Sequence, residues 1–424
     1  MSTELFSRAE ETGKPVVSIV VLAYNHLETT KLCIESLYQY TSHIDFELIL
    51  INNGSSDGTE EYFCSLPNAI KISFPKNIGV DKAINHGFRM AQGKYTLNLS
   101  NDIVVTYHWL DNLIACMESD EKIGMVVPVC GASSNNQQVD LHYHSLEEMQ
   151  RLAKEYNVGN PNLWEERMKL VTYTCLFRTD VQKAMGGFDE DFNPGAYDDD
   201  AISFRIRRAG YRLILAKDTY VHHFGSVTFN EEYTKNNLAQ RNLSLFYSKF
   251  WVHPWQASYI DFNVLKLLDF NDRNDINILG VGMSCGSTLL QVKNLCRSKG
   301  GRNTKLFYLS EQEGNLTELN TVCEACAHAD TDELVSRFGG RLYDYIIVES
   351  ESDKLKNLGP FFQSLSVLLN EGGQLVCTAA NRGILEQIQA ALTGQGLAEQ
   401  NNIRNYYFCF TKSAPIPNLE QTDK

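Results

Sequence analysis

Residues 94–110 read KYTLNLSNDIVVTYHWL, a short alternating apolar run that stops at Ser100-Asn101-Asp102 before a second apolar run and an aromatic at Trp109. A strand that ends in a carboxylate sets it at the strand's carboxyl end, where open α/β sheets hold their ligands. Mg²⁺ and Mn²⁺ prefer oxygen, and bind through one or two carboxylates while substrate phosphates fill other positions. Asp102 is therefore a metal candidate. The tripeptide alone reads equally well as a turn that caps the next segment, so the sequence on either side has to decide.

Working outward towards the N-terminus, VVSIVVLA (16–23) is a continuous, mostly β-branched run of the kind buried on both faces of a parallel sheet. Tyr24, Asn25 and His26 follow it. Helical spacing over Glu28–Tyr40 (Leu32, Cys33, Leu37) and a strand over Glu47–Ile51 complete a βαβ unit. The second strand runs into NNGSSDGT (52–59), a small polar loop suited to cradling a nucleotide but not a G-x-G-x-x-G dinucleotide fingerprint. A further strand over Ala69–Phe74 leads through Asn77-Ile78-Gly79-Val80 into a helix carrying Asn85 and Gly87, with Gly93 beyond.

Together VVSIVVLAYNH, LILINNGSSDGT, KNIGVDKAINHGFRMAQGKY and LNLSNDIVVTYHWL resemble, in order and spacing, the nucleotide-sugar-binding half of the family 2 glycosyltransferases, which adopt the GT-A fold. The resemblance covers residues 16–112. It implies that Ala23, Tyr24 and Asn25 flank the donor's base, that Asn53 and Asp57 line base and ribose, and that Asn77 and Lys82 lie near ribose and phosphates. Asn101 and Asp102 then face the donor, with Asp102 on a Mn²⁺ or Mg²⁺ ion. Two departures stand out. The acidic pair that often opens the second loop is Asn52-Asn53 here, and an amide donates as well as accepts. The first aspartate of the metal motif is Ser100, leaving Asp102 as its sole certain carboxylate. A single carboxylate holds a cation weakly, so further ligands are expected from elsewhere in the chain.

LVTYTCLFR (170–178) resembles the acceptor-side strand of the same family, followed by Gly186-Gly187-Phe188-Asp189-Glu190 and by Tyr197-Asp198-Asp199-Asp200. Three consecutive carboxylates repel one another and need a cation or a proton; a solvated helix N-terminus is the plainer reading of such a run. Measured from Arg205 and Gly210, Asp198 and Asp199 fall on the family's acidic pair, with Ala201 where another acid often stands. The resemblance implies Asp199 as the base that deprotonates an acceptor hydroxyl in an inverting transfer, with Asp198 as second choice. Arg205 and Arg208 are expected to offset the acidic cluster or face the diphosphate. After a strand at Arg212–Ala216, His222-His223 stand where a family histidine completes the metal site, and register favours His223. Residues 131–169 read as an acceptor-gripping insertion, and the aromatic and basic stretch 228–262 as core packing in preference to acceptor stacking.

The chain has 424 residues, 43% of them hydrophobic, which calls for two or more domains. A net charge of −14 argues against a nucleic-acid binder. With no run of eighteen apolar residues, no secretion signal and eleven scattered cysteines, a cytoplasmic protein without a transmembrane segment is expected. The one CxxC, Cys323–Cys326, lacks the second pair of a zinc site.

The composition shifts at LLDFNDRNDIN (267–277), and residues 263–274 read as a linker between a domain at 1–262 and a smaller α/β domain at 275–424. The second domain resembles a methyltransferase-like Rossmann unit, with a loop at Gly280, Gly282 and Gly286 and with Glu311 as its ribose-binding acid. Met283-Ser284-Cys285 replaces the usual open loop, so the expectation is a degenerate domain used for dimerisation or acceptor docking, without S-adenosylmethionine. The expected activity is transfer of a sugar from a UDP-, dTDP- or GDP-sugar to a glycan or protein acceptor. Added methylation by the second domain, and a non-catalytic nucleotide-sugar-binding scaffold, are the alternatives.

Overall fold

The computed structural model describes residues 13–225, 237–270, 273–350, 352, 355, 357–404 and 406–413. The chain divides into two compact units, residues 1–254 and 255–424. Tyr233 and Lys235 of the aromatic and basic stretch lie outside the described residues.

Among the described residues of the first unit, nine strands make one mixed sheet: β1 (Val17–Ala23), β2 (Phe46–Asn52), β3 (Ala69–Ser73), β4 (Tyr95–Ser100), β5 (Ile103–Val104), β6 (Ile123–Cys130), β7 (Trp164–Arg167), β8 (Thr174–Arg178) and β9 (Arg212–His223). Their order is β3-β2-β1-β4-β8-β6-β9-β5, with β7 also on β9. The β3-β2-β1-β4 part is parallel throughout, and β8 joins it antiparallel to β4. β1 is buried almost along its whole length, as its β-branched run requires. The core continues through Ile49, Ile51, Leu97, Leu99, Trp109 and Val127.

The strand expected at Arg212–Ala216 runs on through Lys217–His223 as one strand, because a register shift on β6 between Pro128 and Val129 lets pairing resume at Tyr220. Part of the 131–169 insertion is built into the sheet: β7 pairs antiparallel with β9, and helix Leu146–Tyr156 buries Met149 and Ala153. Helix Leu238–Phe250 packs Phe246 and Phe250 against Phe204 of helix Asp198–Arg208, whereas Tyr247, Trp251 and Trp255 of the same stretch are exposed, so the packing expectation holds only in part.

The second unit carries a seven-stranded sheet: β10 (Asp275–Gly282), β11 (Asn303–Ser310), β12 (Ala325–His328), β13 (Tyr343–Val348), β14 (Leu369–Thr378), β15 (Leu397–Ile403) and β16 (Tyr407–Lys412). Its order is β12-β11-β10-β13-β14-β16-β15. β16 is antiparallel to both neighbours, whereas the five strands before it run parallel. This is a Rossmann-like α/β domain over a core of Leu279, Phe307, Ile346 and Phe362. The linker expected at 263–274 is corrected in its first half. Helix Phe262–Leu267 begins there, capped by the Asp261 carboxylate on the Asn263 N–H, and it buries Val264, Leu265 and Leu267. Among the described residues, no helix is long and apolar enough to cross a membrane.

Candidate active site

The carboxyl ends of β1 and β2 are stitched together by the polar loop that follows β2. Asn25 and His26 both adopt left-handed backbone to turn the chain from β1 into helix Leu27–Thr41. The Asn25 N–H donates to Ser55 Oγ at 2.8 Å, the Ser56 N–H to Asn25 Oδ1 at 2.9 Å, and the Leu27 N–H to Asp57 Oδ2 at 2.8 Å. Burial raises the Asp57 carboxyl, but hydrogen bonds from Thr59 and Leu27 outweigh it and hold the group below its ordinary range. Asp57 thus caps a helix. Asn53 spends its amide on the next loop: it donates to Asn77 Oδ1 at 3.0 Å and accepts from the Ile78 N–H at 3.0 Å. Gly54 is required here, since a Cβ would fall 2.4 Å from the Lys76 carbonyl carbon. Tyr24 is half-buried beside this frame, and Asn77 and Lys82 are exposed at its rim. Asn101 donates to Thr30 Oγ1 at 2.9 Å.

Asp102 and His223 meet because the two-residue strand β5 pairs antiparallel with the end of β9, placing Ile103 opposite His223. Asp102 Oδ2 lies 3.2 Å from His223 Nε2. His223 Nδ1 is 2.6 Å from the Ala132 carbonyl, so that nitrogen is the donor and Nε2 is left facing Asp102. Burial lowers the His223 imidazole, yet its bond to Asp102 outweighs this and lifts it to about 10. His222 is corrected as a ligand of the same centre. Alternation along β9 turns it to the other side, where its Nδ1 is bound to the Tyr143 hydroxyl. Among the described residues, no three His, Cys, Asp or Glu side chains converge to hold a metal ion. Asp102 and His223 still fit a divalent cation, since they present a carboxylate oxygen and an oriented imidazole to one point, with the remaining positions open to substrate oxygens.

The three aspartates of the acidic run go three ways. Asp200 is buried and paired with Lys169 Nζ at 2.8 Å. Asp199 Oδ1 accepts from both the N–H and the hydroxyl of Thr172. Burial and the neighbouring Asp198 charge push Asp199 up to about 8 despite those bonds. Asp198 is raised well above the usual carboxylate range by burial and then by the Asp81 carboxyl. The residue after Thr172, Tyr173, stacks on the His223 ring with centroids 5.5 Å apart. Consecutive residues therefore touch the candidate base and the candidate metal ligand.

Arg205 and Arg208 stand at the far end of helix Asp198–Arg208, about two and nearly three turns (roughly 10 and 15 Å) from Asp198. Arg205 donates to the Gly187 carbonyl at 3.0 Å, and Arg208 to the Phe250 carbonyl at 2.9 Å. Their expected roles at the acidic cluster or the diphosphate are corrected accordingly: both hold backbone. Sequence reading missed Thr172, Tyr173 and Asn242. Asn242 is fully buried and donates from Nδ2 to the carbonyls of Phe192, Gly195 and Ala196 at 2.7, 2.7 and 3.1 Å. It ties down the loop in which Ala196 and Tyr197 adopt left-handed backbone just before Asp198.

In the second unit the carboxyl ends of β10 and β13 flank the point where strand order reverses, the usual ligand crevice of such sheets. Here the polar groups are occupied by one another. Glu349 Oε2 accepts from Ser284 Oγ and Tyr308 OH, each at 2.5 Å. Burial raises its carboxyl. β11 runs to Ser310, so Glu311 follows a strand end directly; its carboxylate is bonded by the Ser350 hydroxyl.

Residues 18–183 match the family model described as Glycosyl transferase family 2. Over 226 residues the chain is 26% identical to the O-antigen biosynthesis protein RfbC of Myxococcus xanthus, a match covering 50% of this chain and 17% of that protein. It is 22% identical over 232 residues to validoxylamine A glucosyltransferase of Streptomyces hygroscopicus subsp. jinggangensis, covering 49% of this chain and 54% of the relative. The chain thus spans about half or less of these relatives. Among solved structures it resembles a mannosyltransferase, PcManGT, from Pyrobaculum calidifontis in complex with GDP-Man and Mn²⁺ (TM-score 0.41, 17% identity, 59% of this chain and 73% of that one). It also resembles GalNAc-T7 with UDP, GalNAc and Mn²⁺ (TM-score 0.45, 15% identity, 57% and 50%). The N-terminal unit is thus a mixed α/β domain, and its residues 18–183 are similar to the Glycosyl transferase family 2 model.

Proposed function

We propose that this protein is a metal-dependent, inverting glycosyltransferase that moves a sugar from a nucleotide-sugar donor to a hydroxyl of a glycan or protein. The observation that carries the reading is the meeting of Asp102 with His223 on one side of Thr172-Tyr173 and of Asp199 on the other. Asp102 and His223 would hold Mn²⁺ or Mg²⁺. Bound there, the ion would act as a Lewis acid and stabilise the charge gathering on the departing diphosphate. Asn25, Ser55 and Asp57 fix the loop beneath the nucleotide, and Tyr24 offers its ring to the base. Asn53 positions the Asn77 loop.

Asp199 would take the proton from the acceptor hydroxyl as that oxygen attacks the anomeric carbon opposite the phosphate. Its raised proton affinity suits a group that must accept a proton and later release it. Arg205 is not assigned to the donor.

The second domain is proposed as a docking or dimerisation module. Ser284, Tyr308 and Glu349 fill the space beneath the glycine loop, and Ser350 occupies Glu311, so these residues do not fit S-adenosylmethionine. Equilibrium titration tests this, and binding tighter than about millimolar would restore the methyl-transfer reading.

The transferase reading is tested by release of nucleoside diphosphate from UDP-, dTDP- and GDP-sugars with Mn²⁺, chosen after a thermal-shift screen of the same donors. Metal-dependent release that is lost in both D102A and H223A is expected. Undiminished release in both variants would remove the metal assignment, and no release from any donor would favour the scaffold alternative.

A further inference from the structure

Helix Val80–Met90 carries in its first turn a carboxyl that the proposed reaction leaves without a task. Asp81 is fully buried, and no ordinary hydrogen-bond donor meets either of its oxygens. An acid in the first turn of a helix gains from the macrodipole, but that gain belongs to a solvated group and is small beside the cost of stranding a charge away from water. An orphaned buried carboxylate therefore calls for a proton or a partner.

The group facing it is Asp198. The two carboxyls, at the starts of helix Val80–Met90 and helix Asp198–Arg208, interact side chain to side chain, with Asp199, Asp189 and Glu190 as further charges on Asp81 and Asp200 on Asp198. The cations of the surrounding elements are turned elsewhere. Lys82 is exposed, Arg89 lies 3.9 Å from Glu190, Lys183 bonds the Ala91 carbonyl, Lys249 pairs with Asp189 and Asp191, and Lys169 is taken by Asp200. Two acceptor-only carboxylates cannot bond unless one of them carries a proton.

We propose that Asp81 is a positioning residue of the acidic site: its carboxyl and that of Asp198 share one proton, and this bond sets the first turn of the acidic helix for the adjacent Asp199. The turn needs such a tie. It is entered through Ala196 and Tyr197 in left-handed backbone, and Tyr197 supplies no side-chain cap. Burial, and then the Asp199 charge, push Asp81 up to about 7, so the shared proton is present under mildly acidic and neutral conditions and is lost in alkali. An acid whose folded-state pKa is raised stabilises the fold fully below its unfolded pKa, and that contribution is lost as pH rises through the folded value.

D81N is the informative variant, because its amide N–H can replace the shared proton at every pH. Melting temperatures of wild type and D81N are compared from pH 4 to pH 8.5 on the full chain. The gap in favour of D81N is expected to widen by about 3 °C or more across that range. D198N, whose amide would face Asp81, is expected to widen it similarly, and the double variant to add little. Parallel melting curves for wild type and D81N, with a gap constant within about 1 °C, would overturn the proposal.

The catalytic half rests on the glycosyl-transfer reading. Donor turnover by wild type should fall on the alkaline side as the pair loses its proton. In D81N that fall should be absent, with kcat moving more than KM. An alkaline fall retained unchanged in D81N would overturn the positioning role. If wild type turns over no donor, the transferase reading fails, while the melting comparison still decides whether the pair shares a proton.

Discussion

The two units place similar crevices at the carboxyl ends of parallel strands, and differ in what their polar side chains have left to give. In the first unit Asp102 and His223 point at a common place, and Asp81 and Asp198 face each other without a cation between them. In the second, Glu349 is bonded by Ser284 and Tyr308, and Glu311 by Ser350. A Rossmann-like frame supplies a crevice in either case. Chemistry requires in addition that groups in it remain unspent, at a cost in stability.

The sharpest way to break this contrast is to remove the candidate base. D199N should lower kcat by about a thousandfold with little change in KM, the usual scale for a general base. A loss below about tenfold would move the base elsewhere. Removing Asp102 or His223 should cost on the order of a hundredfold, read as donor turnover against Mn²⁺ concentration. Recovery of D102A at high Mn²⁺ would sharpen the assignment, and insensitivity to the metal would break it.

A structural test comes next. N242L deletes three bonds to the loop before Asp198 and should destabilise the first unit by about 3 kcal/mol, read by chemical denaturation. Its kcat should fall further than that of another variant of equal stability loss elsewhere in the unit, because the loop sets the acidic turn. The smallest effect is expected in the second crevice. E349Q keeps bonding capacity towards Ser284 and Tyr308, so donor turnover should stay within about twofold of wild type. Because burial raises Glu349, wild type should lose stability relative to E349Q as pH rises, without any change in rate.

What could be read from the sequence follows the range of the interactions involved. The buried run at Val17–Ala23 and the polar loop at 52–59 announce the βαβ frame, because local patterning decides them. The pairing of Asp102 with His223 spans more than a hundred residues through a two-residue strand that carries almost no signal of its own, and only family resemblance pointed to it. Arg205 and Arg208 were misjudged because helical spacing gives a face but not the partner waiting there; backbone carbonyls of Gly187 and Phe250 took both. Asp81 is not singled out in sequence, since an acid in a first helical turn is ordinary. Its full burial belongs to the tertiary packing, which no local pattern encodes. Asn242 gave no warning either, since an asparagine in an aromatic helix reads as a weak helix former.

Thr172 and Tyr173 are neighbours in the chain, and one bonds the candidate base Asp199 while the other stacks on the candidate metal ligand His223. Any sliding of this short lead-in to β8 must move both contacts together. On the proposed reading, the donor side and the acceptor side are in this way geared to a single peptide unit, so that a disturbance reaching one would be felt by the other without passing through the substrate.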